Sequence, residues 1–570
     1  MNGKKTSKRI WIGGLLLILA WMFVIGCAAN PPLTGDNQEK TPGSYTVVGI
    51  GPGDGDLLTL RAAEAICRAD MVFCNPKTQQ KLAAYVDFSG KQVVDGYGVL
   101  FRYYGRDCKK ISQEEKKPRP PMDQEKKRPR GPMRCEEFHR KQAEFAAMVR
   151  DAVSSGKHVV LLSGGDPTIY GPDMWTVKEL KELNPTVIPG LSAFNAANAA
   201  LKVSLGEVML TAPFKKEGSR DTIEQLAGHE RATMVIFMPR DMQALFARLS
   251  ASYPAQTPAA IISHAGVVGQ EKVTMGTVGG FAADTSGIDR WRSIVYVGEA
   301  VGRAAFNPGL SLQSAAQGKF YLVGVGPGDA DLITLRGKKV IESADLIFAH
   351  QRLKDKFQDV LSGKEVLTGY HRLFPFYGKP CAKVRPGDQR RERMSCEEYH
   401  QKQEEFAALV RAAVAKGKTV AMLDSGDPLV YGPCSWSLTE LRDIETEVVP
   451  GLSCFNAANA ALKAGVTEGK TSHSVILASG WSVEEMAVHQ STMVLFTMRT
   501  QFKKFIDGLS AHYDADTPVA IVFSAGYAEK ERVMQGTLGT ISDQVGTGRL
   551  PFEYLLYVGD FLSDGGRVAH

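Results

Sequence analysis

The sequence has few cysteines, few aromatic residues and almost no excess of either charge sign for its length. Nine cysteines among 570 residues are too few for a small disulfide-dense scaffold. Aromatic residues make up 8% of the chain and hydrophobic residues 44%, which excludes collagen and wholesale disorder. A globular chain of this length is expected to form about three to four domains.

A general basic surface is also absent. The formal net charge is +6, from 68 basic and 62 acidic residues. Residues 1–26 contain four basic and no acidic residues, and residues 109–134 contain ten basic and four acidic residues. The rest of the chain is therefore slightly acidic. We expect no nucleic-acid partner, because such a surface would need clustered positive charge.

No apolar run reaches the length of about 20 residues that a membrane-spanning helix needs. Residues 10–25 form an apolar run of 16 positions that Gly13 and Gly14 interrupt. This run follows a basic segment and ends in Val-Ile-Gly-Cys at Cys27. The pattern resembles a bacterial lipoprotein signal peptide.

That resemblance implies cleavage after residue 26, lipidation of Cys27 and a tether over residues 27–43. Two or more acyl chains would form a stable anchor. Because Ala28 follows the cysteine, the resemblance further implies the periplasmic face of the outer membrane. The alternative is an uncleaved transmembrane anchor. Both interpretations place the rest of the chain outside the cytoplasm.

The chain repeats itself. The matched segments are residues 47–54 and 322–329, 165–167 and 426–428, 194–202 and 455–463, and 296–298 and 557–559. The third pair is identical letter for letter. The sequence therefore predicts copy one at residues 44–300, a linker at residues 301–318 and copy two at residues 319–562.

The sequence pattern predicts that each copy is an α/β unit. Short apolar runs alternate with segments of helical periodicity, which is typical of sheets covered by helices. In copy one the predicted strands are residues 45–49, 71–74, 158–162, 234–238 and 259–262. Helices are predicted over residues 57–69 and 192–201.

Five short motifs follow these elements in the same order in both copies. In copy one they are Gly-x-Gly-Pro-Gly-Asp at 49–54, Gly-Gly-Asp-Pro within 163–171, Pro-Gly-Leu-Ser within 188–192, the apolar segment 234–238 and Ala-Gly at 265–266. Glycines after a strand let the backbone approach a ligand, although a single such turn is as often a tight corner. The first motif is neither a dinucleotide fingerprint nor a P-loop.

Together the motifs resemble the tetrapyrrole (corrin/porphyrin) methylase family, in two tandem copies. The resemblance implies that each copy folds as two α/β subdomains with a cleft between them. It implies methyl transfer from S-adenosylmethionine to a precorrin or uroporphyrinogen, although some members methylate other acceptors. It also implies that the copies pack as the family's homodimers do, as an intramolecular pseudo-dimer.

Carried over by position, the resemblance implies a methyl-donor pocket in each copy. The cofactor-binding residues in copy one are Pro52, Gly164, Gly165, Asp166, Ile169, Ser192, Ala193, Met238 and Ala265. Those in copy two are Pro327, Ser425, Gly426, Asp427, Val430, Ser453, Cys454 and Ala525. Copy two departs from copy one at Ser425, which replaces Gly164, and at Thr497, which replaces Met238. The added side chain at Ser425 would crowd the donor. The alternative is that these glycines serve only turn geometry.

Methyl transfer needs alignment of donor and acceptor, and a base where the acceptor loses a proton. The carboxylates predicted for that role are Asp54 and Asp329, because this loop faces the substrate in the family. The alternative is that each aspartate caps the helix that follows it.

An element outside the family pattern interrupts each copy. It contains Cys108, Cys135 and His139 in copy one, and Cys381, Cys396 and His400 in copy two. A disulfide in each insert suits an exported protein, whereas a Cys/Cys/His set also suits a metal such as zinc or haem iron. No bound metal is predicted.

The prolines and basic residues of 109–134 (the basic loop) favour either an extended flap that steers an acidic tetrapyrrole or a solvated loop. The function predicted is a membrane-anchored S-adenosylmethionine-dependent methyltransferase with a small-molecule acceptor. One alternative is an exported lipoprotein that binds a tetrapyrrole or other acidic ligand without methyl transfer. Another is a metal- or redox-linked scaffold.

Overall fold

A computed structural model describes residues 42–110, 133–216, 218–229, 231–289, 292–305, 318–480, 482–496, 502–546 and 550–563. The predictions on Cys27, on Thr497, on most of the basic loop and on the centre of the linker lie outside these residues. None of the helices in the described part of the chain has both the length and the apolar character needed to cross a bilayer.

Copy one contains ten strands and eight α-helices among the described residues. Its strands are β1 (Ser44–Gly49), β2 (Met71–Phe73), β3 (Gln92–Val94), β4 (His158–Ser163), β5 (Thr186–Ile188), β6 (Val208–Thr211), β7 (Thr233–Ile236), β8 (Pro258–Ser263), β9 (Lys272–Thr277) and β10 (Ser293–Val297). Its helices are α1 (Leu60–Arg68), α2 (Pro76–Leu82), α3 (Cys135–Ser154), α4 (Trp175–Glu179), α5 (Ala193–Leu201), α6 (Ile223–Leu226), α7 (Met242–Leu249) and α8 (Val278–Ala283).

Copy two repeats this order of strands. Its strands are β11 (Lys319–Gly324), β12 (Leu346–Phe348), β13 (Glu365–Leu367), β14 (Thr419–Asp424), β15 (Thr446–Val449), β16 (Val475–Ser479), β17 (Thr492–Phe496), β18 (Pro518–Phe523), β19 (Arg532–Thr537) and β20 (Tyr554–Val558). Its helices are α9 (Leu335–Ser343), α10 (Gln351–Lys356), α11 (Gln358–Leu361), α12 (Pro386–Gln389), α13 (Cys396–Ala415), α14 (Trp436–Glu440), α15 (Cys454–Leu462), α16 (Val483–Ala487), α17 (Phe502–Ser510) and α18 (Ile541–Val545).

The first half of each copy forms a five-stranded parallel sheet. The strand orders are β3-β2-β4-β1-β5 and β13-β12-β14-β11-β15. The central strands β4 and β14 are buried along nearly their whole length, as expected where helices cover both faces of a sheet. The carboxyl ends of the parallel strands meet at one edge, where ligands bind in open α/β sheets. The predicted α/β class is confirmed.

The second halves of the two copies form one sheet of ten strands. Its order is β19-β18-β20-β17-β16-β6-β7-β10-β8-β9, so β6 and β16 join at the centre. These two strands pair antiparallel, with Met209 opposite Ile476. Both faces of this sheet carry apolar clusters that draw residues from both copies.

Several boundaries differ from the predicted ones, and for two of them the structure shows the cause. The helix predicted over 57–69 begins at Leu60, because the Thr59 side chain caps it by accepting the N–H of Ala62 (3.1 Å). The first residues of the predicted linker belong to copy one: Val301 is fully buried, and the N–H of Ala305 donates to the carbonyl of Lys202.

Candidate functional site

The first two motifs of each copy meet at the carboxyl edge of the parallel sheet. In copy one, Gly51 and Gly165 exchange backbone hydrogen bonds of 3.3 and 3.1 Å. The strands β1 and β4, which precede them, are parallel neighbours, so their ends emerge side by side. Gly326 and Gly426 form the same bridge in copy two.

Close backbone contacts bring the third and fifth motifs of copy one, at Gly190 and Gly266, against the first two. Gly53 has a φ of +61°, and a Cβ there would lie 2.4 Å from the carbonyl of Gly266. A Cβ on Gly190 would lie 2.3 Å from the carbonyl oxygen of Gly165. Only glycine fits at these contacts. Four of the five motifs therefore converge, although they are far apart in the sequence.

The predicted donor-pocket residues divide into exposed, partly exposed and buried groups. Gly164 is exposed and a Cβ there would meet no atom within 4 Å, while Met238 is 41% exposed with a φ of +52°. Partly exposed residues of the two sets are Pro52, Gly165, Ala193, Ala265, Cys454 and Ala525. Buried residues are Ile169, Ser192, Pro327, Gly426, Val430 and Ser453. Ser425 is exposed, as Gly164 is.

Several buried members support the loops. Ser192 and Ser453 each cap the helix that follows and complete a capping box with Asn195 or Asn456. Burial raises the pKa of the Cys454 thiol to about 12, so this thiol stays protonated at neutral pH.

Asp166 and Asp427 lie between the copies. Asn456 of copy two donates to Asp166 Oδ2 (2.6 Å), and Asn195 of copy one donates to Asp427 Oδ2 (2.7 Å). Their Oδ1 atoms accept backbone N–H groups two residues downstream. Burial raises the pKa of Asp166 to about 6 and that of Asp427 to about 7. These carboxylates hold the copies together, and their contact with a cofactor stays a prediction.

Asp54 and Asp329 make equivalent contacts in the two copies. The N–H of Val268 donates to Asp54 Oδ2, and the N–H of Ala528 donates to Asp329 Oδ2, both at 2.8 Å. Neither carboxylate caps a helix. Their side chains are 34% and 39% exposed, so both remain open to solvent at the predicted cleft. The catalytic role of each stays a prediction.

An arginine from the opposite copy faces each of these loops. Arg336 contacts Asp54 (3.4 Å) and forms a two-pronged pair with Asp56 (2.7 and 3.0 Å). Arg61 does the same with Asp329 and Asp331. These arginines were not predicted from the sequence. The signal was present, because the repeat of the first motif continues through Thr-Leu-Arg in both copies.

A cavity of about 570 Å³ opens beside the second and fourth motifs of copy one. Its wall includes Tyr170, Phe214 and Met238 together with Arg240 and Arg248. Phe101, next to the insert, and Thr467 and Glu468 of copy two complete the rim. The cavity thus combines an apolar wall with two arginines and two acidic residues, Asp241 and Glu468.

Both inserts contain a disulfide with a histidine beside it. The bonds join Cys108 to Cys135 and Cys381 to Cys396. His139 Nε2 donates to the carbonyl of Tyr103 (2.9 Å), and its Nδ1 lies 3.7 Å from Cys108 Sγ. His400 repeats this arrangement in copy two. The cysteines, paired in this way, are not available as metal ligands.

Comparison with known proteins identifies the fold. The family model of tetrapyrrole (corrin/porphyrin) methylases matches residues 45–282 and 319–542. A cobalt-precorrin-4 C(11)-methyltransferase of Methanocaldococcus jannaschii is 30% identical over 258 residues, which cover 43% of this chain and 88% of that protein. A uroporphyrinogen-III C-methyltransferase of Cyanidium caldarium is 28% identical over 246 residues, covering 40% of this chain and 86% of that protein.

A solved structure of cobalt precorrin-4 methyltransferase aligns at 25% identity with a TM-score of 0.35, over 44% of this chain and 99% of its own. The two curated relatives each match a length of about one copy. The predictions of a methyltransferase and of S-adenosylmethionine as its cofactor are confirmed at the level of the family. The chain belongs to the tetrapyrrole (corrin/porphyrin) methylases and contains two tandem copies of their fold.

Proposed function

We propose that the chain methylates an acidic tetrapyrrole with S-adenosylmethionine while anchored to the cell envelope by a lipid. The observation that carries the enzymatic part is the convergence of the same glycine-rich backbone turns at the sheet edge of both copies. The acceptors of the relatives, cobalt-precorrin-4 and uroporphyrinogen III, support a precorrin or uroporphyrinogen acceptor here.

The residues at this edge fit a methyl donor. Gly164 offers exposed backbone with open space in front of it, and Ala193 and Ala265 add small, partly exposed side chains. When bound, S-adenosylmethionine supplies an electrophilic methyl group. The exposed Met238 would pack on the apolar part of the donor and shield it from water.

Asp54 would accept a proton from the acceptor. Its Oδ2 is oriented by the N–H of Val268 and by Arg336, while the carboxylate remains about one-third exposed at the cleft. A base that is held in place and open to the acceptor contributes about 100-fold to 10,000-fold to rate. Asp329 would have the same role in copy two.

The cavity of about 570 Å³ suits the acceptor. Its aromatic wall would contact a macrocycle, and its arginines would face the carboxylate arms. Arg248 already pairs with Glu224 (2.7 Å), whereas Arg240 is exposed and has no ion-pair partner among the described residues. Arg240 is therefore the better candidate for a substrate carboxylate.

Calorimetry with S-adenosylmethionine, followed by mass spectrometry after incubation with uroporphyrinogen III, tests the enzymatic proposal. We expect binding to at least copy one and a product heavier by one or more methyl groups. Absence of donor binding to either copy would overturn it. A tetrapyrrole that binds without any donor binding would instead support the alternative of an exported binding protein.

The anchor and the pseudo-dimer are parts of the same proposal. Cys27 would carry the lipid at the periplasmic face of the outer membrane, so Cys27→Ala should move the protein from the membrane fraction to the soluble fraction. The pairing of β6 with β16 supports an intramolecular pseudo-dimer. An unchanged membrane distribution of the variant would contradict the lipid anchor.

A further inference from the structure

Copy two contains a cluster of metal-ligating side chains outside the motifs and the inserts. The candidate ligand atoms of His371, Asp424 and Cys434 all lie within 4.8 Å of one another. At the corresponding positions copy one has Gly98, Ser163 and Asp173. Copy one therefore has neither the histidine nor the cysteine.

The fold brings the three residues together from distant segments. Asp424 ends β14, Cys434 lies just before α14, and His371 follows β13. The cluster thus lies at the carboxyl edge of the parallel sheet, one residue from Ser425. The carboxyl edge is where α/β sheets bind ligands.

Two polar atoms in the cluster are buried and without a hydrogen-bond partner among the described residues. Asp424 is fully buried, and its Oδ2 accepts the N–H of Cys434 (3.0 Å), which leaves Oδ1 unpaired. The Nε2 atom of His371 is also unpaired and lies 3.5 Å from that oxygen. This distance allows an ion pair when the imidazole is protonated, but neither atom makes a hydrogen bond, which is costly for buried polar atoms.

The thiol of Cys434 completes a mixed donor set. It is fully buried and belongs to no disulfide, it is in hydrogen-bond contact with the Asp424 carboxylate, and the backbone N–H of Arg372 points at its sulfur. Nitrogen, oxygen and sulfur donors together suit zinc better than calcium or magnesium. The His371 side chain is 15% exposed and gives an ion a route in from solvent. The ring of His350 packs against it, with centroids 4.5 Å apart.

We propose that copy two binds one divalent transition-metal ion of the zinc class through His371 Nε2, Asp424 Oδ1 and Cys434 Sγ. Ligand atoms around zinc stand about 3.5 Å apart, so the cluster needs only small side-chain rotations to close. Three protein ligands leave a position for water or a small ligand. This site goes beyond the proposed methyl transfer and does not rest on it.

Cobalt titration of the full chain tests the site. The chain is purified without reductant, so that the disulfides of the two inserts stay closed, then stripped with a chelator and titrated with Co²⁺ as the probe. We expect one Co²⁺ per chain, a thiolate-to-cobalt absorption band and displacement by Zn²⁺. His371→Ala and Cys434→Ser should each weaken binding at least about tenfold, and Cys434→Ser should abolish the band.

Matched variants keep the outcome decisive. A Cys74→Ala/Cys454→Ala double variant removes the other two unpaired cysteines of the described residues and should keep the band. Because this variant keeps His371, Asp424 and Cys434, a retained band assigns the thiolate ligand to Cys434 even where a cluster variant fails to fold. Absence of stoichiometric cobalt binding, or loss of the band in this double variant, would overturn the proposal.

Discussion

At the scale of single residues, a substitution at Gly164 should affect ligand binding without affecting the stability of the fold. A side chain there would meet no protein atom within 4 Å, yet it would project into the predicted donor pocket. We expect Gly164→Ser to change the free energy of unfolding by less than about 0.5 kcal/mol and to weaken S-adenosylmethionine binding at least about tenfold. The reverse change, Ser425→Gly, should strengthen binding to copy two. Calorimetry and thermal unfolding measure the two effects.

Gly53→Ala provides the contrast. Its Cβ would press on the backbone of Gly266, and its φ is positive, so the variant should lose stability as well as binding. Equal affinity for S-adenosylmethionine in the Gly164→Ser variant and the unmodified chain would contradict the prediction that Gly164 lines the donor pocket.

Asp54 and Asp56 form a second matched pair of residues. Both contact Arg336, but only Asp54 reaches the loop at Val268 and the predicted cleft. If Asp54 is the base, Asp54→Asn should lower kcat about 100-fold or more, with little change in the KM for the donor. Asp56→Asn removes the two-pronged ion pair between Asp56 and Arg336, and it should leave kcat within about threefold of the unmodified chain. Equal losses in the two variants would assign the effect to the interface.

At the scale of elements, helices α5 and α15 interlock the copies through buried carboxylates. Because burial raises the pKa of Asp166 to about 6, its folded form keeps a proton that the unfolded chain releases near pH 4. The stability that this proton contributes is complete below about pH 4 and is lost as the pH rises to about 6.

Asp166→Asn removes this titration. The stability of the unmodified chain relative to the variant should therefore fall by about 3 kcal/mol between pH 4 and pH 6, then level off. Urea unfolding of both proteins across this range measures the difference. A difference that does not change with pH would mean that the carboxyl of Asp166 is charged in the folded state.

The insert of copy one gives a prediction on covalent linkage. Trypsin should cut the basic loop, which contains ten Lys and Arg residues. Because Cys108 and Cys135 flank the cut, the fragments should migrate as one chain on a denaturing gel until reductant is added. Cys135→Ala should release them without reductant. Fragments that separate in the unmodified protein would contradict the disulfide.

Strands, helices and motif turns could be predicted from the sequence more completely than the long-range contacts that they make. Strand ends followed by glycines identified the edge of the sheet, since that signal is local. The hydrogen bond from Asn456 to Asp166 spans 290 residues, and no spacing rule connects them. The cluster of His371, Asp424 and Cys434 was missed for the same reason. The cap at Thr59 was missed because Asp54 has the same preference for a helix start.

At the scale of the whole molecule, the pairing of β6 with β16 predicts the association state of copy one when it is expressed without copy two. Expressed alone, residues 44–305 would expose the apolar edge of β6 and the unpaired Arg61. An exposed apolar edge strand associates with another strand. We expect this fragment to form a dimer, which light scattering after gel filtration would detect. A stable monomer would contradict the view that each copy needs a partner.

The joining of two copies in one sheet has a consequence for how the protein can change. In an assembly of two identical chains, every mutation appears in both sites at once. Here one gene encodes both halves, so a change such as Gly164 in copy one against Ser425 in copy two alters a single site. One half can preserve the ancestral chemistry while the other accumulates new ligands, and their shared core keeps the more altered half folded.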